Sequence, residues 1–263
     1  MLKNNKKCKA FFVFQKSLIF ENHLNKVSYA TSMPPISDGW FLTTIKYHLS
    51  FLVSMKILFI EAKYKGKVNL GKDIIDKLPK RIGLVSTVQF VDNLSSIKKQ
   101  LEKNNKKIII GGQILGCDVS KADKIKNKVD YFLYIGTGSF HPLGLAYAIN
   151  KPVFTYSPID NTLEKISEKE IESYKKRRKG AYIKFLSAKN IGILVSTKPG
   201  QNQLKKALAL KKKLKDKNCY IFIADTIDLN ELENFPFIEA WVNTACPRIV
   251  EDKSGIINIE EIV

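Results

Sequence analysis

Residues 131–144 read YFLYIGTGSFHPLG, an apolar run followed by a glycine loop and a proline. A short, uninterrupted apolar run is typical of a strand that is buried on both faces of a parallel sheet. Pro142 suits the first turn of a helix, where its fixed backbone angle is already helical and its missing N–H is not needed. The segment therefore predicts a strand, a tight loop and the start of a helix.

The same alternation extends along most of the chain. Further short apolar runs occupy residues 56–62, 82–86, 107–111 and 153–156, and stretches with helical periodicity lie between them. Near-continuous apolar strands that alternate with amphipathic helices predict an α/β fold built on parallel sheets.

A second unit follows the charged stretch 168–187, which we expect to form a long joining helix. The elements predicted after it are a strand at 191–196, a helix at 204–217, and strands at 219–224 and 240–242. The sequence IGLVST at 82–87 returns as IGILVST at 191–197, each time followed by a helix and a strand. Such an internal repeat predicts two related modules, each a small parallel sheet flanked by helices.

These patterns divide the chain into three parts. We predict an irregular N-terminal extension at residues 1–54, for which partial disorder stays open, and an α/β module at 55–164. The joining helix and the second α/β module occupy residues 165–263.

The composition excludes several classes of protein. The chain has 263 residues and is 44% apolar, which argues against wholesale disorder. The longest apolar stretch, at 40–60, contains Lys46, His48 and Lys56, so we expect no membrane-spanning helix. The four cysteines form no CxxC pair, which fits a reducing cytoplasm rather than a disulfide scaffold.

The chain is strongly basic. Its net charge of +19 comes from 44 Lys and Arg against 25 Asp and Glu, and all but four of the basic residues are lysine. The lysines are scattered over predicted helix faces without a nucleic-acid-binding motif, so we interpret them as a solvated surface and expect no nucleic-acid partner. Steering toward an acidic or RNA-bound partner remains the alternative.

Two cysteines follow predicted strands, at the sheet edge where ligands of parallel sheets bind. The strand at 107–111 leads into GQILGCD at 112–118, which carries Cys117, and the strand at 240–242 leads into NTACPRI at 243–249, which carries Cys246. Cys117 could be a metal ligand, a nucleophile or a small buried side chain. A Cys-Pro pair after a strand, as at Cys246, recurs around iron–sulfur ligands.

Two other loops offer groups that suit an anion. In the first, the glycine loop at 136–141, free N–H groups at a helix start favour a carboxylate or a phosphate. The alternative there is a tight turn with His141 as a helix cap. In the second, STKPGQ at 196–201 offers hydroxyls and a cation, and the alternative is a simple N-cap turn. The candidate binding residues are Gly136, Thr137, Gly138, Ser139, His141, Lys198, Gly200 and Gln201.

The remaining cysteines are expected to have no role in a site. Cys219 lies inside a predicted strand and is expected in the core, and Cys8 lies in a Lys-rich tail without a shaped loop. The three His are too dispersed for a typical zinc site.

Taken together, four motifs resemble those of the diphthamide synthase family, the 2-(3-amino-3-carboxypropyl)histidine synthases. The motifs are GQILGCD at 112–118, YIGTGSFHPLG at 134–144, STKPGQ at 196–201 and NTACPRI at 243–249. LFIEA at 58–62 also resembles the start of that family's middle domain.

The resemblance implies a cytoplasmic transferase that performs the first step of diphthamide biosynthesis. Such an enzyme moves the 3-amino-3-carboxypropyl group of S-adenosylmethionine to a histidine of translation elongation factor 2 by iron–sulfur radical chemistry. Three domains meet at one 4Fe–4S cluster and each gives one cysteine, and Cys117 and Cys246 match the middle and last ligands. The glycine loop and the Lys198 turn would then help to hold S-adenosylmethionine, while no other catalytic group is assigned.

The sequence departs from the family at the first domain and its cysteine, which residues 1–54 do not match. Three explanations stay open: a separately encoded domain, a disrupted or misassigned gene whose family-like part begins at Met55, or a paralogue without the chemistry. The partner expected is a second copy or a chain that supplies the missing domain. Two other functions also stay open, a cluster-free binding or scaffold subunit and a basic RNA-associated protein.

Overall fold

Two sheets organise the chain. The computed structural model describes the backbone of β1 and residues 58–251 and 255–262. The strands are β1 (Phe11–Phe14), β2 (Arg81–Ser86), β3 (Lys107–Gln113), β4 (Tyr131–Ile135), β5 (Val153–Ser157), β6 (Thr162–Lys165), β7 (Asn190–Ser196), β8 (Asn218–Ala224), β9 (Ala240–Asn243) and β10 (Ile256–Asn258). The helices are α1 (Lys72–Lys77), α2 (Leu94–Glu102), α3 (Ser120–Asp123), α4 (Phe140–Ile149), α5 (Glu168–Ser187) and α6 (Leu204–Lys213).

The first sheet has the strand order β3-β2-β4-β5-β6. Its first four strands are parallel, and β6 pairs antiparallel with β5 at the edge. Alternate residues of β4 enter opposite layers of the core: Leu133 and Ile135 pack on the side of α1 and α2, and Phe132 and Tyr134 on the side of α4. This period of two on a wholly apolar strand means that both faces of the sheet are covered.

The second sheet has the order β1-β8-β7-β9-β10, and each of its described strand pairs is parallel. Ile193 at the centre of β7 and Phe185 of α5 share one core layer. On the opposite face, Leu194 packs with Trp241 and with Leu232 of the 3-10 turn Leu229–Asn234. The predicted α/β fold with two sheet modules and a long joining helix is therefore confirmed.

The joining helix α5 is 20 residues long, with the bounds that the sequence predicts. Its N-terminus is fixed by a capping box, in which the Ser167 hydroxyl accepts from the Glu170 amide and the Glu170 carboxylate accepts from the Ser167 amide. The helix packs against α4 of the first module and against β9 and β10 of the second. The described residues from Glu61 onward and β1 form one compact unit.

Some predicted elements differ from the structure. Residues 58–62, predicted within a strand, form none, and Leu58, Phe59 and Ile60 are exposed. An apolar run forms a strand only where a neighbouring strand pairs with its backbone, and this prediction is wrong for the described part of the run.

The second-module helix ends at Lys213 rather than at Lys217. The ammonium of Lys217 donates to the carbonyl oxygens of Leu186 and Ala188, at 2.8 Å and 2.7 Å. Lys217 therefore satisfies orphan carbonyls at the end of α5, and this long-range contact is invisible in the helical periodicity.

Three strands lie outside the predicted set, namely β1, β6 and β10. Most of the predicted N-terminal extension lies outside the described residues, and its β1 pairs with β8. The predicted boundary after residue 164 falls inside β6 and stays a prediction. Among the described helices, none combines the length and apolar character needed to cross a membrane.

We expect Gly192→Ala to destabilise the second sheet. A Cβ at Gly192 would lie 2.3 Å from the ring of Trp241, which is packed against Phe222 with ring centroids 4.7 Å apart. Overpacking of this kind costs about 1–3 kcal/mol of unfolding free energy, measured by urea denaturation.

Gly180→Ala is the matched control for that measurement. A Cβ at Gly180, in α5, would meet no atom within 4 Å. The helix should therefore gain about 0.5–1 kcal/mol from the lower entropy of the unfolded chain. Equal stability of the two variants would contradict the packing described around Trp241.

Candidate metal centre

Two cysteine loops border one cavity between the modules. Cys117 lines this cavity of about 240 Å³, and so does Pro247, the residue directly after Cys246. The walls come from α4, α5 and the C-terminal segment, and include Phe140, Tyr147, Arg178, Asn258 and Glu260. The structure therefore brings the loops of both predicted ligands to the same place.

A bulge directs the chain from β3 toward Cys117. The pairing of β2 with β3 shifts register after Leu84, where Gly111 is passed over and Val85 pairs with Gly112. Gly112 has a φ of 83°, a conformation that favours glycine. A bulge of this kind bends the end of the strand and changes the direction of the loop that carries Cys117.

The Cys117 loop is closed by backbone hydrogen bonds. The amides of Leu115 and Asp118 each donate to the other's carbonyl oxygen, at 2.9 Å and 3.1 Å. The Asp118 carboxylate accepts from the Ser120 amide at 3.0 Å. These contacts leave Cys117 exposed at the tip of a defined turn.

Helix α4 lies directly against this turn. A Cβ at Gly144 would lie 2.6 Å from the carbonyl oxygen of Gly116, and a Cβ at Gly116 would lie 2.5 Å from the ring of Phe140. The two glycines therefore allow a backbone approach that larger residues would prevent. His141 adds a polar contact, because its Nδ1 accepts from the Gly116 amide at 2.8 Å.

Asn243 holds the Cys246 loop from within. Its side-chain amide donates to the Cys246 carbonyl oxygen at 3.0 Å and to the Asn258 Oδ1 at 2.8 Å. Its Oδ1 accepts from the Ala245 amide at 3.0 Å. Asn243 is buried, so these bonds replace water and fix the loop relative to β9 and β10.

Electrostatics connect the two loops. Partial burial of the thiol raises the pKa of Cys117, although the residue as a whole is exposed, and the charge of Cys246 is a further cause. Burial and the positive charge of Arg248 lower the pKa of His141. Each effect couples a group of one loop to a charge on the other, which fits the cavity that the two loops border.

The glycine loop that follows β4 lies next to α4, as predicted. The Gly136 amide donates to the Tyr156 carbonyl oxygen at 3.0 Å, and Gly138 has a φ of 76°. His141 does not act as a helix cap, because its ring accepts from Gly116 instead. Among the described residues that line the cavity, Gly136, Thr137, Gly138 and Ser139 are absent.

The turn at 197–201 lies beside β8. The Lys198 amide donates to the Ser196 hydroxyl at 3.1 Å, and that hydroxyl donates to the Asp225 carbonyl oxygen at 2.8 Å. The Gln201 amide donates back to the Lys198 carbonyl oxygen, and Gly200 has a φ of 79°. This turn is also absent from the described cavity lining, so its role in binding stays a prediction.

The other cysteines are consistent with the interpretation of the sequence where they can be placed. Cys219 is buried in the core beside β7 and α6. Cys8 lies outside the described residues. Sequence reasoning did not single out Asn243, Gly144 or Arg178. Gly144 and Arg178 act through partners that are distant along the chain, Gly116 and Glu261. Asn243 acts on its own loop through Ala245 and Cys246, and only its bond to Asn258 reaches another strand.

Thiolates are the usual ligands of iron–sulfur clusters, so the two loops fit two positions of such a site. They do not complete it. Within the described part of the chain, no three side chains of His, Cys, Asp or Glu are grouped so that they could hold a metal ion.

We expect Asn243→Leu to loosen the Cys246 loop. The leucine cannot satisfy the Ala245 amide or the Cys246 carbonyl oxygen, and unsatisfied buried groups cost about 1–3 kcal/mol each. The unfolding free energy should fall by that order in urea denaturation. Alkylation of Cys246 by iodoacetamide, followed by peptide mass spectrometry, should become faster.

The control for this substitution is Asn104→Leu. Asn104 is exposed, and its amide donates to the Gln100 carbonyl oxygen within α2. Surface changes of this kind stay within about 0.5 kcal/mol. If Asn243→Leu behaves like Asn104→Leu, the buried amide does not hold the loop.

Comparisons with known proteins agree with this architecture. Residues 43–255 match the family described as putative diphthamide synthesis protein. A 2-(3-amino-3-carboxypropyl)histidine synthase from Pyrococcus horikoshii is 34% identical over 200 residues, covering 72% of this chain and 56% of that protein. The protein of the same name from Methanocaldococcus jannaschii is 35% identical over 179 residues, covering 66% of this chain and 46% of the relative.

A solved structure shares the fold. Dph2 from Pyrococcus horikoshii, crystallised with a 4Fe-4S cluster, superposes with a TM-score of 0.62 at 32% identity, covering 72% of this chain and 57% of that one. The chain thus spans about half the length of the curated relatives it matches. On the extent of the family match and these likenesses, the chain belongs to the diphthamide synthesis protein family.

Proposed function

We propose that this chain is part of a 2-(3-amino-3-carboxypropyl)histidine synthase. The enzyme would transfer the 3-amino-3-carboxypropyl group of S-adenosylmethionine to a histidine of elongation factor 2 in the cytoplasm. The observation that carries the proposal is the meeting of the Cys117 and Cys246 loops at one cavity between the modules. The names of the matched relatives and the cluster in the Pyrococcus structure support it.

Cys117 and Cys246 would hold the 4Fe–4S cluster as thiolates. When bound, such a cluster would supply the electron for cleavage of the bond between sulfur and the γ-carbon of S-adenosylmethionine. The chain's contribution is to hold both thiols in place, through the closed turn at Leu115 and Asp118 and through the buried amide of Asn243. Held ligands lose little freedom when a metal group binds.

The substrate would be held at the carboxyl edges of the sheets. Gly136, Thr137, Gly138, Ser139 and His141 belong to a loop and helix start whose N–H groups favour a carboxylate. Lys198, Gly200 and Gln201 would contribute a cation and further N–H groups. The positive φ of Gly138 and of Gly200 makes both turns dependent on glycine.

The site needs a ligand from outside the described residues. Two cysteine loops meet here, whereas the family resemblance implies three ligands, so a second copy or a chain that supplies the first domain would complete the cluster. A Schizosaccharomyces pombe relative that is 31% identical is named subunit 1 of the synthase. A multi-chain assembly of this protein is consistent with that name.

Anaerobic reconstitution with iron and sulfide tests the proposal, for the full-length chain alone and together with a chain that supplies the first domain. We expect bound iron with the broad visible absorbance of an iron–sulfur cluster. Cys117→Ala and Cys246→Ala should each lower the bound iron at least about tenfold. Loss of a residue that only hydrogen-bonds to a metal ligand already costs about that much, so loss of a ligand itself should cost no less. Cleavage of S-adenosylmethionine to methylthioadenosine, in the presence of elongation factor 2, should fall in the same two variants.

Cys219→Ala is the matched control, because Cys219 is buried in β8, away from the cavity lining. It should keep wild-type iron content. Iron binding that persists in both Cys117→Ala and Cys246→Ala would overturn the assignment of these ligands.

A second candidate function is a cluster-free binding subunit. It is favoured by the described residues' lack of any three side chains grouped to hold a metal. Such a subunit would bind no iron and would retain elongation factor 2 after both cysteines are replaced. An RNA-associated role would instead show affinity that falls steeply with salt and survives loss of the cysteines.

A further inference from the structure

His141 lies where three sequence motifs meet. It is the second residue of α4, and its ring is half-buried beside Phe140 and Tyr134, at centroid distances of 5.1 Å and 6.1 Å. Its Nδ1 accepts from the Gly116 amide at 2.8 Å. Gly116 directly precedes Cys117, so the imidazole acts on the backbone of the loop that carries this thiol.

The hydrogen bond defines the state of the ring. A nitrogen that accepts a hydrogen bond carries no proton, so the neutral imidazole has its hydrogen on Nε2. Burial and the nearby charge of Arg248 lower the pKa of His141, which favours this neutral form. The ring is thus kept as an acceptor at Nδ1.

The packing gives this bond a particular importance. Phe140 and Gly144 press α4 against Gly116, where an added Cβ would lie 2.5 Å from the Phe140 ring. This packing is non-directional: it allows a close approach of the helix but does not set the orientation of the Gly116 peptide. A directional hydrogen bond sets that orientation, and the following residue inherits it.

His141 is also near the second loop. Arg248 follows Cys246 by two residues, and its charge reaches the imidazole. One ring therefore contacts the Cys117 loop and lies beside the Cys246 loop.

We propose that His141 is a positioning residue that orients the Cys117 thiol by holding the Gly116 amide through Nδ1. The inference rests on the proposed function in one respect, that Cys117 is a cluster ligand. The hydrogen bond itself and its effect on the loop are independent of any metal.

The test compares His141→Asn with His141→Gln in the full-length, metal-free protein. Asparagine places its side-chain oxygen where Nδ1 lies, whereas glutamine places its oxygen where Nε2 lies. Hydrogen exchange of the Gly116 amide, followed by NMR, should accelerate about tenfold in His141→Gln, as expected for loss of one hydrogen bond. In His141→Asn the exchange rate should remain close to that of the wild type.

A second readout follows the thiol itself. Alkylation of Cys117 by iodoacetamide should change in His141→Gln and return to the wild-type rate in His141→Asn. After iron reconstitution, the lifetime of the bound cluster should likewise change in His141→Gln and return to the wild-type value in His141→Asn. If His141→Gln does not fold, His141→Leu takes its place. Leucine removes the acceptor without adding a polar group, so the same changes are expected in this variant.

Unchanged exchange at Gly116 in both His141→Gln and His141→Leu would overturn the inference. Equal acceleration in His141→Asn would do so as well, because it would indicate a packing role alone. If the exchange results hold but no variant of the chain binds iron, the proposed function fails and the orienting hydrogen bond stands.

Discussion

The contacts of Arg178 at the junction of the modules constrain everything else in the site. Its guanidinium lies 4.8 Å from the ring centroid of Tyr147 in α4 and 5.3 Å from that of Tyr174 in α5. Its Nε lies 3.1 Å from a carboxylate oxygen of Glu261, which is largely buried in the C-terminal turn. A cation shared between two aromatic rings and a carboxylate joins the first module, the long helix and the end of the second module. Together with the packing of α5 against α4, β9 and β10, that junction sets the separation of the two cysteine loops.

The chemistry of the site depends on this arrangement. Each cysteine lies on a turn at the carboxyl edge of a parallel sheet, and each turn is held by hydrogen bonds rather than by apolar packing alone. Asn243 secures one turn from inside the protein, and His141 secures the other from the neighbouring helix. Sites in which backbone geometry is fixed before a ligand binds need less reorganisation, which suits a labile iron–sulfur group. Two thiols from one chain and a further ligand from elsewhere would also make cluster assembly dependent on the partner.

Much of the fold was predictable from the sequence because strand and helix periodicity are local. The β4 strand and the α5 helix have the predicted bounds, and both cysteines were predicted at strand ends. The misses have long-range causes. Residues 58–62 are apolar but unpaired, and Lys217 leaves the helical pattern to cap another helix. Long-range contacts are also unpredictable within the site: the hydrogen bond between the Gly116 amide and His141 joins residues 25 positions apart, and no local sequence pattern predicts it.

Convergence of the Cys117 and Cys246 thiols on one space can be measured with a short thiol cross-linker, dibromobimane. The reagent is applied to a metal-free chain in which Cys8 is replaced by serine and Cys219 by alanine. We expect an intramolecular bridge, seen by mass spectrometry as a peptide that joins Cys117 to Cys246. Two thiols that react only singly, with no bridged peptide, would contradict this convergence.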